Sequence, residues 1–433
     1  MPSPLRHPTY ARLFTAQVAA LLGTGLATVA LGLLAHDLGG ASAGEILGAM
    51  LAIKMIAYVL VAPLASALAA HAPRKALLIG LDLVRAGVAA ALPFVSEPWQ
   101  IYALMTILYV ASAAFTPAFQ SMIPDVLPEE RDYTRALSLS RLASDLESVA
   151  SPVLAALLLT FLSFHELFGF TALGFVASAL LVFAAALPLT RTAAPKPFLR
   201  RLTAGLNLFA HTPRLRGLVA LSLASAAGGA MVFVNTVVIV QSGFGLSQQH
   251  TAWALAAFGL GSMAAALMLP PLLEKVADRT ALLFGAAMLV CALLAGPLVA
   301  TSYTALLALW IVLGCGYSLT LTPVGRVLRR SAHAEDRPAL FAAHFALSHA
   351  CWLIAYPLAG FVSAGLGSAA AFVALALVCA LGGALGLVLW PVREQETLAH
   401  RHDDLPADHP HVASGSTHAH TYIIDDLHQR WPG

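Results

Sequence analysis

Apolar residues run through this chain in long blocks broken by short polar interruptions. The blocks fall at 13–37, 44–70, 76–95, 99–121, 137–162, 167–188, 215–241, 249–273, 280–300, 302–326, 338–364 and 368–391. A hydrocarbon layer of about 30 Å is crossed by about 20 such residues in helical form. Helix also satisfies every backbone polar group within its own segment. The pattern therefore predicts an all-α membrane protein of twelve spans. The start, MPSPLRHPTYARLF, leads directly into a block long enough to cross, with no small-residue cleavage site, so the first span is expected to act as its own insertion signal.

The polar interruptions alternate in charge. Lys and Arg are absent from 38–43, 96–98, 163–166, 242–248 and 365–367. The loops between carry Arg74 and Lys75, Arg131 and Arg135, Arg191 to Arg216, Lys275 and Arg279, and Arg326 to Arg337. By the positive-inside rule both termini are expected in the cytoplasm. The longest basic loop divides the chain into an N-terminal six-helix half (1–188), a linker (189–214), a C-terminal six-helix half (215–391) and a tail (392–433). A faint repeat supports the division. Thr116-Pro117 precedes Glu-Glu-Arg at 129–131 and Ala136-Leu137, while Thr322-Pro323 precedes Glu-Asp-Arg at 335–337 and Ala339-Leu340. Parallel six-helix halves mark one large class of secondary transporters.

Composition agrees with lipid as the main solvent. The 433 residues are 59% hydrophobic and 11% charged, with mean hydropathy +0.80, against about 25% charged in soluble domains. A net charge of +2 gives no sign of a nucleic-acid partner. The four cysteines lie in apolar blocks without a CxxC spacing and read as core residues rather than disulfides or thiolate ligands. No phosphate-binding loop or nucleophile elbow is present, so neither an enzyme nor an ATP-driven pump is expected. The expected partners are the bilayer, a small substrate and protons, with the chain acting as a monomer.

Ionisable groups at bilayer depth are costly and usually face the protein interior. Lys54 lies about ten residues into the second span, with Tyr58 one turn on along the same face. It reads as a cavity charge or as half of a structural pair. In the fifth span Arg141 can pair with Asp145 at i, i+4, while Glu147 points about 200° away from Asp145 at about 100° per residue. That leaves Glu147 open to take a proton or a cation, unless all three form one gating network. Removing a carboxylate from water favours its protonated form, as proton coupling requires. His344 and His349 lie in the eleventh span, the repeat counterpart of the fifth, so carboxylates and imidazoles can meet across a central cavity. Imidazole with carboxylate suits nickel, zinc or copper. Gln120, Asn235, Ser348 and Tyr356, with Tyr58, are cavity candidates, and Gln241 is a weaker one. Asp82 and Arg85 read as a structural pair at i, i+3. His36 with Asp37 and His165 with Glu166 read as interfacial residues.

The tail changes character. His400, His402, His409, His411, His418, His420 and His428 fall within it, six of them as His-x-His pairs. In extended chain each such pair points one way, and a His-rich tract reads as metal binding. Up to about residue 420 the tail has few apolar groups and is expected to be disordered. The more apolar TYIIDDLHQRWP is a candidate to dock on the cytoplasmic face.

The six-plus-six layout, the His-Ala-Pro-Arg-Lys loop at 71–75, and PAFQSMIPDVLPEERDYTRALSLSRLASDLESVASP at 117–152 resemble the major facilitator superfamily over about residues 8–391. The last stretch looks like the branch that holds drug and siderophore exporters. The family's loop signature has a glycine and an aspartate where Ser66 and Ala70 stand, so Arg74 and Lys75 are what remains of the usual gating loop. LSRLASDLE, LSHACWLIAYPLAG and the histidine tail are together similar to nickel-resistance exporters of the superfamily. The resemblance implies alternating access and proton-driven efflux of a divalent metal, nickel or cobalt, from the cytoplasm across an inner (plasma) membrane. Export of a small organic molecule is the alternative, marked by an aromatic cavity with the histidines turned away. A metal sensor signalling through its tail is a third reading.

Overall fold

The protein is described from a computed structural model for residues 3–39, 43–69, 72–188, 197–392, 397–401, 417–425, 427–428 and 431. It is almost wholly helical. The first half comprises α1 (Pro8–Gly39), α2 (Ala43–Leu68), α3 (Arg74–Ala91), α4 (Pro98–Val126), α5 (Glu130–Leu158) and α6 (Phe164–Ala184). A linker helix, α7 (Phe198–His211), follows. The second half comprises α8 (Pro213–Val237), α9 (Gln248–Leu273), α10 (Asp278–Val299), α11 (Tyr303–Leu321), the short α12 (Val324–Arg329) and α13 (Arg337–Leu389).

Among the described residues, ten helices are long and apolar enough to cross a membrane. The twelve spans are recovered in two steps. The 53-residue α13 is two helices end to end, broken at Gly367 with φ +83°, a left-handed conformation that glycine adopts without steric cost. The eleventh and twelfth spans are thus its two arms. The other is α5, 29 residues long, whose opening turns carry Glu130, Arg131, Asp132 and Arg135 and whose middle carries Arg141, Asp145 and Glu147.

The halves form separate cores. In the first, α1 packs on α6 and α3 on both α4 and α6; in the second, α8 packs along α13 and α9 along α11. Among the described residues they are joined by α2 and α4 against α13 and by α5 against α9. Close approach at α9–α11 rests on Gly261 and Gly314. A side chain on either would collide with the backbone of Ile311 or the carbonyl of Phe258. On α3, Asp82 and Arg85 form a buried ion pair. The guanidinium carbon lies 4.0 Å from the Phe115 ring centroid and 4.6 Å from that of Phe175. The pair thus ties α3 to α4 and α6, as a structural anchor should.

Two expectations are corrected. The linker is not simply a basic loop: residues 198–211 form an amphipathic helix that packs against both α13 and α2. Gly205, Leu208 and Phe209 are buried while Arg200 is exposed near its start, an amphipathic pattern that the absence of a long apolar run concealed. In the tail, two described segments are ordered where disorder was expected. Strands β1 (Thr397–Arg401) and β2 (Thr417–Thr421) pair antiparallel, with His400 opposite His418 and Leu398 opposite His420. What orders them is the chain that follows. Tyr422 and Ile424 join the core of the second half, and Trp431 lies over the Arg214 guanidinium at 5.2 Å. His402, His409 and His411 lie outside the described residues, and of His400 and His418 only the backbone is described.

Asp425 fastens this docked segment. It accepts from the backbone of Leu427 and His428 at 2.8 and 2.7 Å and contacts the His428 imidazole at 2.8 Å. His333, in the loop after α12, reaches it at 3.6 Å. Partial burial opposes ionisation of Asp425, but the His333 imidazole beside it and the hydrogen bonds from His428 prevail and hold its carboxyl below the ordinary 3.8. The Asp425 carboxylate beside it in turn holds His333 above its ordinary 6.5. His333 therefore contributes docking stability that is complete below pH 6.5 and is lost as pH rises through its raised value. Asp425 contributes above 3.8, and that share is lost only in stronger acid. Hydrogen-exchange protection of residues 417–425 is expected to fall as pH rises above 6.5, after correction for intrinsic rates, and to be flat there in His333→Gln. A pH-independent protection in the native chain would contradict the latch.

Candidate functional site

The site is built on α5, whose polar groups face two ways. Arg141 and Asp145, one turn apart, form a bidentate pair, with Nε to Oδ2 at 3.1 Å. Arg141 also donates from Nε to Ser262 Oγ of α9 at 3.0 Å and lies 4.8 Å over the Tyr317 ring of α11. The pair thus belongs to the first half but is held by two helices of the second. Tyr317 belongs to an aromatic cluster drawn from four helices. Phe258 lies 5.4 Å from it, Trp352 6.2 Å, and Phe233 6.3 Å, with Tyr356 4.8 Å from Trp352. Gly229 leaves room for the Trp352 indole.

Glu147 faces the other way, toward α1 and α2. Its carboxylate and the Ser151 hydroxyl occupy the space that a side chain on Gly25 would need. Lys54 of α2 is the charge that acts on it, though no ion pair within 4.0 Å joins the two among the described residues. Lys54 Nζ lies 5.6 Å from the Tyr58 ring. Tyr58 in turn contacts His349 at 4.8 Å and Phe345 at 4.9 Å, both on α13. The Lys54–Tyr58 face therefore closes the α2–α13 seam, with Glu147 behind it.

The histidines of α13 do not meet the carboxylates of α5 directly. The His349 Nδ1 is bonded to the Phe345 carbonyl at 2.7 Å, and its ring packs on Tyr58. His344, on another face of the helix, stacks on Phe209 of α7 at 6.2 Å. Ser348 bonds back to the Phe345 carbonyl at 3.0 Å. Asn235 is no cavity residue. It is fully buried between α8 and α13, its Nδ2 facing the Ala359 carbonyl at 3.4 Å. Gln120 is exposed, and Gln241 donates to Thr251 at 3.2 Å. Glu166 caps α6 through the Ser163 amide at 2.7 Å. Among the described residues no group of three or more His, Cys, Asp or Glu is placed to hold a metal ion.

The end carrying the basic loops holds a network that sequence reasoning only touched. Asp125, at the end of α4, accepts from Arg74 at 2.9 Å and from Arg337 of the second half at 2.6 Å. Arg326 of α12 reaches Glu130 of α5 at 2.6 Å and the buried Asp278 at 2.9 Å, and donates to Thr134 at 2.7 Å. Arg131 pairs with Glu274 at 2.7 Å, and Arg329 bonds the Pro128 carbonyl. Arg74 thus does bridge toward the opposite half, through Asp125. Lys75 instead donates to the Ala185 carbonyl at 3.0 Å and anchors α6. The signal that could have found Asp125 was its place directly after Pro124 at a span end, facing loops rich in arginine.

The sequence profile of the Major Facilitator Superfamily matches residues 13–247 and, separately, 218–413. The chain is 27% identical over 125 residues to the uncharacterized MFS-type transporter YfiS of Bacillus subtilis (strain 168), covering 29% of this chain and 30% of that one. It is 25% identical over 141 residues to macrolide efflux protein A of Enterococcus faecalis, covering 31% and 43%. The matched stretches span less than half of either curated relative. In fold it superimposes on the human organic anion transporter MFSD10 (TETRAN) with TM-score 0.77 and 15% identity, over 89% of this chain and 100% of the other. A variant of the Escherichia coli fucose:proton symporter FucP gives 0.71 and 14%, over 88% and 98%.

Asparagine at 125 would remove the carboxylate that Arg74 and Arg337 share. Amide exchange in 126–134 and 330–337 is expected to quicken by roughly tenfold, the loss of a charged hydrogen-bond pair at a partly exposed site. Unchanged exchange would mean that the two halves are held at this end without Asp125.

Proposed function

The chain belongs to the major facilitator superfamily, and on that premise we propose that it exports bulky organic molecules in exchange for protons. It does so across an inner (plasma) membrane, with both termini and the basic end in the cytoplasm. The observation that carries the reading is the aromatic cluster of Phe233, Phe258, Tyr317, Trp352 and Tyr356 beside the Arg141–Asp145 pair. Flat rings offer area for stacking and dispersion, while a bound ion would need several converging donors. The histidines are turned away, His349 into the α2 seam and His344 onto α7. The relation to a macrolide efflux protein supports the same direction.

The working parts divide as follows. Cross-links between Asp125 and Arg337, Arg326 and Glu130, and Arg131 and Glu274 hold the cytoplasmic end shut in this state. Opening it requires these pairs to exchange for water, which charged surface pairs do at small cost. Arg141 and Asp145 neutralise each other and link the halves at mid-depth. Glu147 is the proton site, since its neighbour Lys54 offers a nearby charge without a closed ion pair. Protonation of Glu147 removes the attraction that draws Lys54 toward α5 and leaves Lys54 to the Tyr58–His349 seam.

Metal efflux, with nickel or cobalt as cargo, is the second reading. It is favoured by the hairpin that sets His400 opposite His418. In that reading the tail captures cytosolic metal for a site in the membrane.

Cells lacking their own exporters and expressing the chain separate the two. Tolerance to macrolides or to lipophilic dyes is expected to rise several-fold, to disappear in Glu147→Gln, and to survive removal of residues 393–433. Tolerance gained to nickel or cobalt alone, and lost with the tail, would replace this reading with the second.

A further inference from the structure

A groove of about 370 Å³ runs between α1, α5 and the edge of α9, lined by Phe14, Leu22, Leu142, Leu146 and Met263, with Glu147 also in its wall. Glu147 is the ionisable member among its described lining residues. A second hollow of about 310 Å³ shares Leu139 and Leu142 with it and continues along the α5–α9 seam to Ser3, Pro4 and Arg135 at the basic end.

The groove does not face the aromatic cluster. At about 100° per residue, Leu139, Leu142, Ala143, Leu146 and Ala150 centre on the side of α5 opposite Arg141 and Asp145. Of those two, Arg141 touches both Ser262 and Tyr317. Leu146 is 58% exposed and Leu267, which lines the second hollow, 64%. Apolar side chains exposed on the outer face of a span contact lipid. A carboxylate at the edge of such a face is unusual, because a charge there lacks water and a full partner. Gly25 keeps α1 close enough to shelter it.

We propose that this groove is a lateral entry site for lipophilic organic cations, which leave the bilayer leaflet at the basic end and move along the α5–α9 seam to Glu147. This rests on the export reading above and gives it a substrate class and a route. The apolar wall takes the body of the molecule. The Glu147 carboxylate takes its charge, strengthened by the low dielectric around it. A proton and the cation then compete for one carboxylate, so release of either follows arrival of the other.

The test uses the full chain in lipid nanodiscs with tetraphenylphosphonium as the probe and neutral triphenylphosphine oxide beside it. Filling the groove from either wall, by Ala143→Phe or Met263→Trp, is expected to weaken tetraphenylphosphonium binding by roughly tenfold or more. Glu147→Gln is expected to do so for the cation and to leave the neutral compound unaffected. A photoreactive phosphonium should label peptides of α1, α5 and α9 in the unaltered protein, which keeps the test independent of how the variants fold. Labelling confined to Phe233, Trp352 and their neighbours, with filled variants binding normally, would overturn the lateral route while leaving organic export standing. Equal competition by the neutral compound would make the groove a site for lipid chains and overturn the proposal. No binding of either probe, with dye tolerance absent in cells, would remove the export reading itself.

Discussion

Arg141, Asp145 and Glu147 lie within two turns of one helix that crosses a bilayer, where an uncompensated charge costs several kcal/mol. Each must find compensation, and the direction in which it finds it fixes how α5 packs. The first two compensate each other and are steadied by Ser262 and Tyr317 of the opposite half. Glu147, more than half a turn away around the helix, is left to Lys54 and Ser151. One helix therefore carries both a closed pair that links the halves and an open carboxylate that does not.

This division explains the asymmetry of the two seams. On the α5–α9 side the halves are joined through the closed pair and, at the basic end, through Arg131 and Glu274. On the α2–α13 side the contact is aromatic, Tyr58 against Phe345 and His349. Aromatic contacts are not directional ion pairs and can slide at low cost. A change of charge at Glu147 acts on Lys54, which stands over the Tyr58 ring. The proposed proton site thus adjoins, through Lys54 and Tyr58, the aromatic seam rather than the ion-paired one.

Much of this was legible from the chain alone. Block lengths located the spans, including the gap at 365–367 where Gly367 breaks α13. The i, i+4 spacing of Arg141 and Asp145 and the opposed direction of Glu147 follow from helical period. What remained hidden depended on which helices meet. Nothing in the pattern of His344 and His349 shows that one would stack on a linker helix and the other on Tyr58, since a helix face is known from sequence but its neighbour is not. Asn235 was misread for the same reason, because a polar residue buried between α8 and α13 has the same local sequence as one facing a cavity. The tail hairpin escaped notice because its order comes from Tyr422, Ile424 and Trp431 binding a core some two hundred residues earlier in the chain.

Glu147, rather than Asp145, is proposed to exchange a proton for substrate. Proton release into weakly buffered solution, followed with a pH-sensitive dye as tetraphenylphosphonium is added to the protein in nanodiscs, tests it most directly. Release is expected from the native chain and from Asp145→Asn, and none from Glu147→Gln. Release that persists in Glu147→Gln and vanishes in Asp145→Asn would contradict it.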